Sequence, residues 1–353
     1  MTTVFGAAGA LGHEQVVFCI DSAAGYRSII AIHSTVLGPA VGGTRLWRYD
    51  TESDALDDAL RLSRGMTYKN ALAGLPFGGG KAVILRPADG FDRSALFGAH
   101  GRFIERLGGN FISGEDVGVT VADIEIVREA TTHVAGIAHR AGDPSPFTAR
   151  GVHAAMRACA QHRWGAPDLA GRTVALQGCG AVARELARLL DADGARLIVC
   201  DVDAGKAERL VAESRATLVE PDAIYDADTD IFAPCALGGV LNDATLPRLR
   251  AGIVAGAANN QLLDPRHGRD IEARGITYAP DYVANAGGVI AGSTIDLLSG
   301  TMALALERVD AIFETVKRIF ELAREMSVPA SDAADVLAER IVAGESRSAA
   351  LAT

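Results

Sequence analysis

The sequence predicts an α/β protein of two domains, a mixed α/β half followed by a half built as a doubly wound parallel sheet. Three observations lead there. At roughly 150 residues per domain, 353 residues correspond to about two domains. The chain is 49% hydrophobic and 22% charged, which supplies two cores and rules out disorder as the main organisation. From about residue 149 onward, short apolar runs alternate with helical stretches, the pattern of βαβ units.

Taken in order, VVFCID (16–21) and RSIIAIHS (27–34) read as two strands joined by the turn-forming SAAG. From Ser53 the period becomes helical, with Leu56, Ala59, Leu60, Ser63 and Thr67 on one stripe. The acidic run 54–58 reads as a solvated helix start, favoured by the positive end of the dipole. KAVIL (81–85) is a strand, 94–107 a helix and FISG (111–114) a short strand. AGDPSPFTAR (141–150) holds two prolines and a glycine, which no helix continues through, and marks a boundary. Beyond it come helix 149–163, strand TVALQG, helix 181–192 and strand RLIVCD. Helix 204–214 and strands DIFAP, GIVAGA and ITYAP follow. Two helices, around 300–325 and 331–345, close the chain, with Pro280 and Pro329 as breaks.

Acidic residues outnumber basic ones 44 to 34, a net charge of −10, which argues against duplex binding through phosphate neutralisation. The five cysteines, at 19, 159, 179, 200 and 235, form no CxxC pair and read as buried reduced thiols. The N-terminus lacks a basic n-region, and the longest apolar stretches fall short of the roughly 20 residues a spanning helix needs. A soluble cytoplasmic protein is expected. His153 with His162, or His133 with His139, lack acids or cysteines at metal spacing, so no metal is expected. Trp47 and Trp164 read as packing residues.

TVALQGCGAVARELARLL carries a GxGxxA pattern directly after a strand and opening a helix. Gly178 suits the tight turn, Gly180 lets backbone approach a pyrophosphate on the helix N-terminus, and Ala183 permits close helix–strand packing. Cys179, Ala181 and Val182 complete this turn. Asp201 ends the next strand, where a ribose 2′-hydroxyl would bind and a 2′-phosphate would be repelled. The expected fold of this half is a Rossmann-type dinucleotide-binding domain, and NAD is favoured over NADP.

GMTYKNALAGLPFGGGKAVIL (65–85) holds Lys69 and Lys81 with three glycines between them. It is not a P-loop, because Leu75 and Ala82 stand where that motif needs Gly and Ser or Thr. Glycines before a lysine permit close approach of backbone to a ligand. A lysine at the start of an apolar strand, near a second cation, can act as a base near neutral pH; two solvated surface lysines are the alternative.

The segments GPAVGGTRLW, GMTYKNALAGLPFGGGKAVI, SGEDVG, GDPSPFTARGV, GCGAV, APCALGGVLN, GAANNQL and YVANAGGVI occur in this order. Together they resemble the glutamate/leucine/phenylalanine/valine dehydrogenase family over roughly residues 12–345, on its branched-chain and aromatic side, and in wording most nearly valine and leucine dehydrogenases. The resemblance implies NAD-dependent, reversible oxidative deamination of an apolar L-amino acid to a 2-oxo acid and ammonia, without metal. It implies a substrate and oligomerisation domain over 1–146, joined by a C-terminal helix 326–353, an NAD-binding domain over 147–325, a cleft between them, and a homo-oligomer. It implies that Lys69 holds the substrate carboxylate, that Lys81 activates water and that Asp116 shuttles a proton at the substrate nitrogen. Gly42 and Gly43 would line the substrate entrance and Thr148 would lie near the nicotinamide amide. Asn259 and Asn260 would touch nicotinamide ribose and substrate, with Asn259 assigned to the cofactor and Asn260 to the substrate and the reverse left open.

The chain departs from relatives at several positions. Ala183 replaces the third fingerprint glycine, a small change, Arg150 replaces an aromatic residue, IAGSTIDLLSG follows NAGGV where relatives differ, and Gly114 and Gly292 trim two pocket walls. A methylene of pocket fit is worth about 1–3 kcal/mol in selectivity. Two alternatives remain open from sequence: recruitment to a bulkier amino acid or another amine, and a non-catalytic NAD-binding regulator. The presence of Lys69, Lys81 and Asp116 argues against the latter.

Overall fold

A computed structural model describes residues 3–88, 90–136 and 142–345. The chain divides into two compact units: residues 1–142, 292–300 and 338–353 form one, and residues 143–291 and 301–337 the other.

The first unit contains α1 (Val4–Ala10), β1 (Gln15–Asp21), β2 (Tyr26–Ser34), β3 (Ala40–Trp47), α2 (Glu52–Leu72), β4 (Gly78–Leu85), α3 (Arg93–Glu105), β5 (Phe111–Glu115) and α4 (Val121–Arg128). The sheet order is β1-β2-β4-β3-β5, with β1 and β2 an antiparallel hairpin and β3 parallel to both neighbours. On one face, Ala55, Leu56, Ala59 and Leu60 of α2 pack on Ile29, Ala31 and Val83. The other face, carrying Tyr26, Ile30, Ile32, Ala82 and Ile84, lies against Leu96, Phe97 and Ile104 of α3 and Ile124 and Val127 of α4. The predicted α2 stripe is the buried one, and Thr51 and Asp54 close a reciprocal capping box at the helix start.

Two expectations are corrected in this unit. Asp58, read as part of a solvated helix start, leaves its carboxylate only 11% exposed because Arg45 and Tyr49 draw it inward. Trp47, read as packing, ends β3 with 52% of its surface exposed. The strand β3 and helices α1 and α4 have no counterpart in the sequence reading; the two glycines of AVGGTRLW interrupt the β-branched run that marks β1, β2 and β4.

The second unit contains α5 (Ser145–Trp164), β6 (Thr173–Gln177), α6 (Ala181–Ala192), β7 (Arg196–Cys200), α7 (Ala204–Glu213), β8 (Thr217–Leu218), β9 (Ile231–Pro234), β10 (Ile253–Val254), α8 (His267–Ala273), β11 (Thr277–Tyr278), α9 (Asp281–Ala284), α10 (Gly287–Gly292), α11 (Met302–Asp310), α12 (Ile312–Met326) and α13 (Ala330–Val342). Gly292, the last residue of α10, is already counted in the first unit, and α13 passes from one unit to the other after Leu337. The six strands are all parallel, in the order β11-β10-β9-β6-β7-β8. Strand order therefore reverses between β6 and β9, the switch point at which such sheets bind ligands beyond their carboxyl ends. The unit boundaries differ from those expected: the first break falls at 142/143 rather than 146/147, and the return to the first unit at 338 rather than 326. Residues 292–300, expected in the second half, belong to the first unit, where Asp296 accepts a hydrogen bond from the Gly136 amide.

Four of the five cysteines are buried, all five are unpaired, and Cys235 is half-buried. Among the described residues no helix is long and apolar enough to cross a membrane. His153 contacts Asp193, and His162 instead packs on Phe320; His133 lies near Glu105, while His139 lies outside the described residues. The one group among the described residues with metal-like spacing is Asp243, His267 and Asp270, where Arg266 already sits on both carboxylates.

A buried polar chain ties the first unit's layers together. The Tyr26 hydroxyl meets Ser28 Oγ at 2.6 Å and His100 Nδ1 at 2.7 Å. His100 Nε2 meets Thr44 Oγ1 at 2.8 Å, which meets Ser113 Oγ at 2.6 Å. Burial pushes His100 down to about 3, so the ring is neutral. The folded value lies below the ordinary 6.5, so the unfolded state takes up the proton first and stability falls as pH drops from about 6.5 toward 3. At pH 4.5 this one ring is expected to cost about 2–3 kcal/mol. Urea denaturation at pH 7 and 4.5 checks it: His100→Gln, though less stable at pH 7, is expected to show the shallower pH dependence, and equal slopes would contradict a neutral buried ring.

Candidate active site

The first unit's chemistry collects on the face of the sheet that carries α2. Side chains alternate along a strand, so Lys81 shares a face with Val83, which packs on α2. Arg45 pairs in register with Val83 and shares that face. Lys81 is 6% exposed. Its Nζ lies 3.0 Å from Asp116 Oδ2, just beyond the end of β5. Arg45 Nε donates to the same oxygen at 2.8 Å. The Arg45 guanidinium also donates through Nη1 to Asp58 Oδ2 at 2.9 Å, and Asp58 accepts from the Tyr49 hydroxyl at 2.6 Å and from Arg61 at 3.0 Å.

These charges set each other's proton affinity. Burial pushes the Lys81 ammonium below the usual lysine range, against the pull of Asp116, while Arg45 lowers it further. Asp116 is also buried, which opposes ionisation, yet Lys81 and Arg45 outweigh this and hold the carboxyl below its ordinary value. Arg45 stays charged because Asp116 and Asp58 outweigh its burial.

Glycines let backbone close in around the pair. A Cβ on Gly79 would lie 2.0 Å from the Thr67 amide nitrogen, so α2 crosses β4 in near contact there. Lys69 sits two residues past that crossing, half-buried. A Cβ on Gly42 would lie 1.7 Å from the Gly80 carbonyl oxygen, and one on Gly43 would lie 2.4 Å from Glu115 O and 3.0 Å from Asp116 Cβ. Gly42 and Gly43 therefore abut the Lys81 strand and Asp116 itself. Gly114 and Gly292 differ in kind. The nearest atom to a Cβ at Gly114 would be Ala135 O at 3.7 Å, and nothing lies within 4 Å of one at Gly292. Neither backbone requires glycine by contact, so space is what these residues supply.

The second unit's candidates gather at the carboxyl ends of its strands. Gly178 follows β6 with φ +102°, and a Cβ there would strike Ala236, which follows β9. Gly180 is the N-cap of α6, with no side-chain cap and no acid in the first turn, and open space lies around it. Ala181 and Val182 open the helix and Ala183 is fully buried under it. The Asp201 carboxylate accepts from the Cys179 amide at 2.7 Å and from the Asp203 amide at 2.8 Å. Burial opposes its ionisation, and these backbone bonds outweigh it, so Asp201 is held below the ordinary carboxyl range. An uncapped helix N-terminus beside a glycine turn fits a pyrophosphate, and an anchored carboxylate at the neighbouring strand end fits a ribose diol.

Asn259 and Asn260 are exposed after β10. The Asn259 amide oxygen accepts from Asn285 Nδ2 at 2.7 Å, while Asn260 takes a left-handed φ of 52°. Thr148 lies in the first turn of α5, its hydroxyl donating to Pro144 O at 3.0 Å and meeting the position a Cβ on Gly288 would take. Arg150, the unusual residue of that helix, is held by a two-bond pair with Asp310 at 2.6 and 2.7 Å.

Sequence reasoning missed Arg45 and Asp58. The available signal was a charged residue inside the otherwise apolar strand AVGGTRLW, which must find a partner if it faces a covering helix.

Residues 13–133 match the Glu/Leu/Phe/Val dehydrogenase dimerisation domain, and residues 200–347 match the Glutamate/Leucine/Phenylalanine/Valine dehydrogenase domain. The chain is 49% identical to the leucine dehydrogenase of Geobacillus stearothermophilus over 331 residues, 93% of this chain and 90% of that protein. It is 46% identical to the L-tryptophan dehydrogenase of Nostoc punctiforme, covering 96% of each, and 46% identical to the valine dehydrogenase of Streptomyces albus, covering 94% and 93%. The crystal structure of the Nostoc punctiforme enzyme superposes with a TM-score of 0.88 at 45% identity, covering 97% of this chain and 99% of that one. The chain belongs to the glutamate/leucine/phenylalanine/valine dehydrogenase family. It is thus an oxidoreductase acting on CH–NH2 donors with a nicotinamide cofactor.

Proposed function

We propose that the protein catalyses NAD-dependent oxidative deamination of an apolar L-amino acid, with aromatic side chains among those accepted. Amino acid, NAD+ and water give 2-oxo acid, ammonia, NADH and a proton, and the reaction runs in both directions. The buried Lys81–Asp116 pair carries this reading: a lysine held below its usual proton affinity beside an ionised carboxylate is the acid–base machinery that water addition and ammonia loss need.

Lys69 holds the substrate carboxylate and fixes the orientation of Cα. A bound nicotinamide cofactor would supply the acceptor for the Cα hydride, and loss of that hydride would leave the substrate as an iminium. Lys81, in its neutral form, takes a proton from water as the oxygen bonds to the imino carbon. Asp116, ionised at the outset, takes a proton from the substrate ammonium before the hydride leaves and returns it to the nitrogen after water has added; the C–N bond then breaks as the hydroxyl gives up its proton to solvent and the carbonyl forms. Gly42 and Gly43 keep the approach to this pair free of side chains, and Asn260 contacts the substrate. Gly178, Cys179, Gly180, Ala181, Val182 and Ala183 would hold the pyrophosphate, Asp201 the adenosine ribose, and Thr148 and Asn259 the nicotinamide end. The family's dimerisation-domain match supports a homo-oligomer, and five unpaired cysteines support a reducing, cytoplasmic setting. NADH absorbance with a panel of valine, leucine, phenylalanine and tryptophan tests the reading directly.

Lys81→Ala is expected to abolish turnover while NAD still binds; retention of more than about a tenth of wild-type kcat, a loss of only ~1.4 kcal/mol, would sink the assignment. Lys69→Ala is expected to damage both KM and kcat.

NAD is expected to be strongly preferred over NADP, because Asp201 repels a 2′-phosphate. Comparable kcat/KM values for the two cofactors would contradict this, and Asp201→Ser is expected to narrow the gap.

Gly114 and Gly292 support a roomier pocket, and similarity to a tryptophan dehydrogenase supports the same. Phenylalanine or a larger apolar amino acid is expected to be turned over at least as well as valine. The double variant Gly114→Ala/Gly292→Val is expected to shift preference toward leucine or valine by roughly 1–3 kcal/mol in kcat/KM. An unchanged ratio would rule out these two positions as the pocket walls.

A further inference from the structure

Lys81 and Arg45 both contact one oxygen of Asp116, Oδ2, at 3.0 and 2.8 Å. Arg45 is not a surface partner: its side chain is 20% exposed, and its second pairing runs to Asp58, which is 11% exposed. Three elements meet in this chain of charges: β4 through Lys81, β3 through Arg45 and α2 through Asp58. A carboxylate that must hand a proton to a nitrogen at one oxygen needs its other oxygen fixed, because a free Asp side chain rotates about its terminal bond.

We propose that Arg45 and Asp58 are a positioning pair for the proton-transfer residues: Arg45 clamps Asp116 through Oδ2 so that Oδ1 faces the substrate nitrogen, and Asp58 moderates the guanidinium charge that Lys81 and Asp116 feel. This rests on the reading of Lys81 and Asp116 given above. Neither Arg45 nor Asp58 touches the reacting atoms. The charged groups bonded to Asp116 are Lys81 of β4 and Arg45 of β3; beyond Arg45 lie Tyr49 and, from α2, Asp58 with Arg61, and Glu115 of β5 precedes Asp116 in the chain. Lys81 and Asp116 interact closely enough to titrate as a pair.

The two members of the positioning pair carry opposite charge, so their removal has opposite sign. Without the Arg45 charge, Lys81 and Asp116 hold protons more tightly. Without the Asp58 charge, Arg45 acts uncompensated and they release protons more readily. The pH dependence of kcat/KM for deamination of the best amino acid is the measurement. Arg45→Met is expected to move the rising limb to higher pH, and Asp58→Asn to move it to lower pH, each by about one pH unit. The double variant is expected to lie between them. Arg45→Lys keeps the charge, so its limb stays near that of wild type.

Limbs that move in the same direction, or stay fixed in both single variants, would overturn the assignment, since a merely structural role lowers kcat without opposing shifts. Should a single variant fail to fold, the double variant, which leaves no buried charge unpaired, is compared with Arg45→Lys. There kcat is expected to fall at least tenfold with little change in amino-acid KM, and Arg45→Lys to recover most of it. Equal kcat in the two, or a folded, NADH-binding double variant with wild-type kcat, would also overturn it. A wild-type protein that deaminates amino acids but keeps its rate in Lys81→Ala would instead remove the reading of Lys81 on which the pair depends.

Discussion

A lysine ammonium lies almost fully buried on a β-strand, and much of the first unit can be understood as the surroundings that make this tolerable. Taking an ion out of water costs several kcal/mol even after relaxation, and a buried charge persists only where partners are fixed in place. Lys81 has Asp116, Asp116 has Arg45 as well, and Arg45 has Asp58. The alternating signs let four charged side chains sit together under one helix. Each is held by a different piece of backbone, so the order of the strands and the crossing of α2 are built into the electrostatics of the site.

The glycines serve the same constraint from the backbone side. Close passage of α2 over Gly79, and of β3 against Gly80 and Glu115, leaves no room for side chains where the strands approach the pair. Chain segments that would elsewhere be separated by a layer of methyl groups are here in direct contact. The second unit uses glycine differently. Gly178 turns the chain with a backbone angle that side chains rarely adopt, and Gly180 leaves a helix end uncapped, which favours an anion. One unit arranges charged side chains, the other arranges backbone dipoles.

Much of this was legible in the sequence, for identifiable reasons. The α2 stripe from Leu56 to Thr67 and the strand–glycine–helix run from Thr173 through Ala183 follow simple periods, and both appear as read, with helix 181–192 matched at both ends. Lys81 and Asp116 were singled out by family resemblance, because the thirty-four residues between them carry no local signal that the two will meet. Strand β3 escaped notice because glycine at two consecutive positions hides the apolar pattern. Asp58 was misread because a helix start rich in acids usually faces water, and only the neighbouring strand reveals that one of them turns inward. The placing of residues 292–300 in the first unit involves long-range contacts, among them Gly136 to Asp296, which no window of sequence contains.

That short excursion has a consequence for how the chain is made. The polypeptide passes between the two units four times, after residues 142, 291, 300 and 337. A ribosome makes all five strands of the first sheet before it reaches the second unit, yet two pieces of the first unit, residues 292–300 and 338–353, follow residues 143–291 in the chain. Contacts closing over such long separations form slowly, since the loop entropy must be overcome before they stabilise anything. Residues 292–300 of the first unit are made only after residues 143–291 of the second, and residues 338–353 only after residues 301–337. Arg45, Asp58, Lys81 and Asp116 are thus synthesised in one early stretch, well ahead of the segment that carries Gly292.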